Sequence, residues 1–175
     1  KASEWPSMSR SVGFFESGTR VSLAAASDSP GGPLVTQYPP DIHPDLLARF
    51  SNNGGALPVK MGIEYDILGA DYSVARMPVE GNTQVIGILH GGAHVVLGES
   101  LGSLSSAIHG GPDHVAGGIE INASHTRSID SGWVTGTCRA ISLGRTLCTH
   151  EIVITDEAGN RLSTVRMTNF LKKIR

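Results

Sequence analysis

Glu99 stands alone in a stretch that otherwise avoids charge. Residues 89–103 read LHGGAHVVLGESLGS, and Glu99 is the one Asp, Glu, Lys or Arg between positions 89 and 108. A carboxylate beside Val95, Val96 and Leu97 is expensive to bury without a partner. Held in such a semi-apolar site it acts as a nucleophile or a general base. The alternative is a surface glutamate on a polar helix stripe, and the scarcity of neighbouring charge favours chemistry. Ser103 lies one turn further on, on the same helical face, so its hydroxyl is expected to hydrogen-bond the Glu99 carboxylate.

His90, Gly91 and Gly92 open the same helix. Unpaired backbone N–H groups and the positive end of the dipole attract negative charge there. Gly91 and Gly92 let a ligand approach the backbone with no Cβ in the way. That suits a carbonyl-polarising site. The same residues also suit a second reading, in which the glycines permit close helix–sheet packing and His90 caps the helix. Gln84 has a side-chain amide able to donate to a carbonyl oxygen; taken alone it is an ordinary loop glutamine. At a rise of about 1.5 Å per residue, Gly91 and Glu99 are roughly 12 Å apart along the axis. One helix cannot bring both to one carbonyl carbon. Two antiparallel helices can, which predicts composite sites at a two-fold interface.

The elements that must hold these residues follow from pattern. The helix is expected over 91–108, closed by HGGPD at 109–113, where glycine caps and proline stops it. Before it, residues 59–79 alternate as two antiparallel strands with a turn near 69–71, and EGN at 80–82 is a turn. After it come four strand candidates, 114–127, 132–143, 146–156 and 161–171, the last two joined by EAGN. In the first, Ile119 and Ile121 are expected to share a face. In the second, Val134, Gly136, Cys138 and Ala140 form a small-residue face suited to a close helix. Residues 43–50 read as a short helix with Pro44 early in it. The proline-rich stretch 26–41 reads as linker or irregular extension, and residues 1 to about 40 as lacking a core of their own while free to pack on the domain or on a partner chain. Two strands, one long helix and four strands predict an α+β fold, a twisted antiparallel sheet around a single central helix. The uncovered sheet face calls for a partner subunit, so a homo-oligomer is expected.

A chain of 175 residues suffices for one domain with an extension, and its formal net charge is −2. No basic run marks a nucleic-acid footprint, and LKKIR at the C-terminal end is a short solvated segment. Cys138 and Cys148 lie in apolar strands without metal-ligand spacing and read as buried thiols. No apolar run approaches the roughly 20 residues of a membrane helix. No basic-then-apolar leader opens the chain, so a cytoplasmic location is expected.

Gln84, LHGGAHVVLGESLGS and then GIEINASHTRSIDSGWVTGTCRAISLGR (118–145) together resemble the hotdog-fold acyl-CoA thioesterases. The resemblance is closest to the branch of 4-hydroxybenzoyl-CoA and 1,4-dihydroxy-2-naphthoyl-CoA thioesterases and covers about 57–171. Together with the element pattern this gives a hotdog domain over 43–175, preceded by an extension or linker over 1–42, a stretch on which the resemblance itself is silent. The resemblance implies a curled antiparallel sheet around one long central helix, dimers that pair into tetramers, and active sites between subunits. By position, Glu99 resembles the catalytic carboxylate and Gly91 the residue whose N–H polarises the thioester carbonyl. Gln84 and His90 match polar groups around the thioester, and Ser103 the hydroxyl after the glutamate. Ser124 replaces a commoner Asn, while His125 and Arg127 match residues that approach coenzyme A; Gly92 lies where the ligand meets backbone. Arg145 matches a turn arginine, open between coenzyme A phosphates and plain solvent. His94 falls at a variable position and reads as a packed or interfacial histidine.

The implied activity is hydrolysis of a small aromatic or medium-chain acyl-CoA, by an anhydride at Glu99 or by water it activates. Neither metal nor cofactor is implied, coenzyme A being part of the substrate. Two alternatives remain: a hotdog hydratase or dehydratase, and a non-catalytic acyl-CoA-binding protein.

Overall fold

The computed structural model describes residues 35–50 and 54–174. Its elements are β1 (Val35–Gln37), α1 (Pro44–Phe50), α2 (Ala56–Lys60), β2 (Glu64–Ile67), β3 (Tyr72–Pro78) and α3 (Gly91–Gly110). Four strands follow: β4 (His114–His125), β5 (Trp133–Leu143), β6 (Leu147–Thr155) and β7 (Arg161–Lys173). They form one sheet in the order β1-β2-β3-β5-β6-β7-β4, antiparallel throughout except for the parallel β1–β2 pair. α3 lies against β3, β4, β5, β6 and β7, so the sheet wraps the one long helix as expected.

Three local expectations need correction. Residues 35–37 are not linker but an edge strand, and Tyr38 packs on the core. The rest of the expected extension, residues 1–34, lies outside the described residues. Residues 59 and 60 end helix α2 rather than open a strand; Gly62, at φ 69°, makes the turn into β2. Ile119 and Ile121 do not share a face. A bulge between Gly118 and Glu120 inserts one residue, which leaves Ile119 60 % exposed while Ile121 packs inward.

Close packing accounts for several glycines. A Cβ at Gly98 would stand 2.7 Å from the Val165 side chain, and one at Gly102 would stand 3.0 Å from Met167. These glycines lay α3 onto β7. Gly136 likewise clears Leu97 and Leu101, so β5 presents the small-residue face expected of it. Cys138 and Cys148 are both buried free thiols. The helix ends where expected, on Gly111 at φ 73°, whose N–H reaches the Ala107 and Ile108 carbonyls.

The outer sheet face carries a register row of Arg139, Glu151, Arg166 and Asn122. An antiparallel sheet tolerates such a face in water. The need for cover is therefore confined to exposed apolar residues such as Ile141, Leu147 and Phe170. β4 ends the sheet and pairs with β7 alone.

Candidate active site

The loop into α3 is held before the helix begins. Asn82 donates from Nδ2 to the Met61 and Pro78 carbonyls, and its own carbonyl accepts from His90 N–H at 2.9 Å. Gln84 N–H donates to Ile88 O at 2.8 Å, and Gly87 N–H donates back to Gln84 O at 2.9 Å. This tight turn, with Gly87 at φ 82°, aims the half-buried Gln84 side chain at the helix start.

His90 is the N-cap. Its Nδ1 accepts the Gly92 N–H at 2.8 Å, and its carbonyl accepts the Ala93 N–H. The capping reading of His90 thus holds, and the Gly92 amide is spent inside the protein. The Gly91 N–H makes no hydrogen bond to any described residue. It is the first-turn amide left for an outside acceptor.

Gly91 opens into a cavity of about 460 Å³ lined by Gln84, His94, His125, Thr126 and Arg127, with Leu89 at its wall. His125 stands directly over Gly91: a Cβ there would be 3.0 Å from His125 Nε2. The Ser163 hydroxyl gives its one proton to Ser124 O, so His125 Nδ1 must be the donor in its 3.0 Å contact with Ser163 Oγ. That leaves neutral His125 with an acceptor Nε2 facing Gly91. Four predicted residues, Gln84, Gly91, His125 and Arg127, are thus brought together. None of the described residues lining this cavity is an Asp or Glu.

Glu99 belongs to another cavity, of about 270 Å³, with Leu57, Pro58, Val96, Ser103 and Leu104 among its walls. The carboxylate is exposed, not held in a semi-apolar interior, although Leu57, Pro58, Val96 and Leu104 give its cavity an apolar side. It forms no hydrogen bond or ion pair with described residues. Ser103 does not hold it. The Ser103 hydroxyl donates instead to Asn169 Oδ1 at 3.3 Å, and Asn169 Nδ2 donates to Gly102 O. The reason is Asn169, fully buried on β7 beneath the helix, where its amide competes successfully for the hydroxyl. Gly118 of β4 lies beside the carboxylate; a Cβ there would collide with Met167 and would touch Glu99 Oε1 at 3.8 Å. Tyr65 backs the cavity. Burial pushes its phenol up to about 12 against the pull of nearby Ser100, and its hydroxyl lacks a partner in hydrogen-bond geometry.

Arg145 is in neither cavity. Its turn meets the far end of α3, where Gly144 O lies 3.1 Å from His109 Nε2. The 20-residue helix separates it from Gly91 by about 30 Å. Among the described residues no cluster of His, Cys, Asp and Glu is arranged to hold a metal ion, and no helix is long and apolar enough to cross a membrane.

Residues 86–163 match the family model described as the thioesterase superfamily. The chain is 42 % identical over 127 residues to the proofreading thioesterase EntH of Cronobacter turicensis, covering 72 % of this chain and 93 % of that one. The chain belongs to the thioesterase superfamily. EntH of Klebsiella pneumoniae is 39 % identical, over 70 % of this chain and 90 % of that protein. Among solved structures, a thioesterase from Haemophilus influenzae superposes with a TM-score of 0.66 at 33 % identity, covering 73 % of this chain and 88 % of that chain. A variant of a thioesterase from Pseudomonas aeruginosa gives 0.65 at 34 %, covering 74 % and 92 %. The hotdog fold and thioester hydrolysis that the resemblance implied are thereby supported for this superfamily member.

Sequence pattern missed Asn82, Ser163 and Asn169, which position the site. Asn169 had a signal, since it interrupts the inward apolar series Val165, Met167, Leu171 on β7. Ser163 had none, because its partners Ser124 and His125 are distant in sequence, and Asn82 reads as an ordinary turn residue.

Proposed function

We propose that this thioesterase hydrolyses acyl-CoA, with each active site built from two copies of the chain. One observation carries the reading. The cavity at the free Gly91 amide lacks a carboxylate, and the cavity at Glu99 lacks that amide. Each is half of a site. Antiparallel pairing of two α3 helices joins the Gly91 half of one copy to the Glu99 half of the other, twice over.

In the joined site the thioester oxygen accepts from Gly91 N–H, with Gln84 beside it. Negative charge on that oxygen grows as the carbonyl carbon becomes tetrahedral, and donors fixed in advance stabilise it. The Glu99 carboxylate attacks the carbonyl carbon; the tetrahedral adduct collapses, expels the coenzyme A thiolate and leaves an acyl–Glu99 anhydride that water cleaves. In the other route Glu99 takes a proton from water, and the hydroxide attacks. Neither route needs a metal or redox cofactor. Arg127, exposed at the rim of the Gly91 cavity, suits a coenzyme A phosphate, and His125 supplies an acceptor beside the reacting carbon.

The acyl group extends into the Glu99 cavity, where Leu57, Pro58, Val96 and Leu104 form an apolar wall. About 270 Å³ suits a compact aromatic or medium chain. A thiol-release screen with benzoyl-, hydroxynaphthoyl-, phenylacetyl- and linear acyl-CoAs tests this. Fastest turnover with an aryl-CoA supports the reading, and no thiol release from any acyl-CoA contradicts it. Single turnover in ¹⁸O water separates the routes, because label enters Glu99 only through the anhydride.

A further inference from the structure

We propose that His94 is a second hydrogen-bond donor to the thioester carbonyl, acting beside the Gly91 N–H. This rests on the thioesterase reading above and adds a residue whose place in the sequence suggested a packed or interfacial histidine. His94 is 3 % exposed, and its Nδ1 is buried with no partner. It makes no side-chain hydrogen bond to any described residue, yet it lines the cavity into which Gly91 opens. Helical side chains tilt toward the N-terminus, so a residue at i+3 from Gly91 lays its ring over the turn that Gly91 begins. The ring centroid is 5.2 Å from that of His125, whose Nε2 faces Gly91. Gly91, His94 and His125 therefore form one continuous polar patch.

A neutral imidazole always carries one N–H. Nδ1 is shut off from the cavity and has no partner, so the ring nitrogen left to meet a ligand is Nε2. Polar groups this buried are normally paired in native proteins; with its proton on Nε2, His94 donates to the substrate oxygen. Burial, with His125 nearby, lowers the His94 pKa to about 4, so the ring is neutral at ordinary pH. A neutral imidazole is suited to polarise a carbonyl by donation alone. No proton leaves His94 during the step; its hydrogen bond strengthens as the oxygen gains charge. The neutral form of His125 donates from Nδ1 to Ser163 and presents only an acceptor at Nε2.

The test compares His94→Leu and His94→Gln in thiol release, thermal melting and oligomeric state. Loss of one such donor lowers kcat by about 10²-fold. His94→Leu should show that loss with KM little changed and with melting unchanged or raised. His94→Gln, which keeps an N–H, should recover much of kcat. A fully active His94→Leu overturns the proposal, as does a folded His94→Gln no faster than His94→Leu. Dissociation of His94→Leu into monomers also overturns it, by showing that the ring serves the subunit contact. A wild-type protein that releases no thiol would instead strike the thioesterase reading itself.

Discussion

Glu99 and Gly91 share helix α3 yet open into different cavities. The helix rise alone separates them by roughly 12 Å, far beyond the reach of a single carbonyl group. On the proposed reading, the helix is shared between two active sites, giving its first amide to one and its carboxylate to the other. Gln84, His125 and Arg127 lie with Gly91, Ser103 lies with Glu99, and Arg145 lies with neither.

Glu99→Gln removes the nucleophile or base and keeps the shape. Thiol release should fall by about 10²–10⁴-fold. Because Glu99 is exposed and has no partner among the described residues, melting and acyl-CoA binding should hardly change. Steady-state kinetics beside calorimetric binding would show this; retained turnover would remove Glu99 from the chemistry.

Gly98→Ala sets two effects against each other. Helix propensity favours alanine by about 1 kcal/mol. The new Cβ would stand 2.7 Å from the Val165 side chain, and overpacking of this kind costs about 1–3 kcal/mol. The strand is held on both sides and cannot withdraw, so net destabilisation of up to about 2 kcal/mol is expected in urea unfolding.

Acid should weaken the fold through His94. Its folded pKa of about 4 lies below the ordinary 6.5, so the unfolded chain binds the proton more tightly. Stability is then fully present above pH 6.5 and is lost as pH falls toward 4. His150, also lowered by burial, acts in the same direction. Melting temperatures of wild type and His94→Leu should converge toward neutral pH relative to their gap at pH 4, with the variant less acid-sensitive. Equal acid sensitivity would contradict the buried neutral ring.

Much of this was legible in the chain. Glycine and proline mark the end of α3, and period-two alternation marks the later strands, because both signals are local. The bulge at Ile119 was not legible: one inserted residue reverses a face without altering composition. The short helix α2 was hidden because five residues cannot show a period. Ser103 misled for another reason. Its spacing from Glu99 is right, but Asn169, distant in sequence, takes its hydroxyl. Gly98 and Gly102 signalled close approach correctly, while the approaching element, β7, emerged only from the fold.

The central claim is tested most directly by a hybrid of two inactive chains. Glu99→Gln and Gly91→Val, differently tagged, are co-expressed, and the mixed dimer is isolated through both tags. Each variant alone should be nearly inactive, Gly91→Val because its side chain collides with His125. With sites shared between copies, the mixed dimer regains one intact site of two and about half the wild-type rate. A mixed dimer as inactive as its parents would show that each chain completes its own site, and would contradict the account.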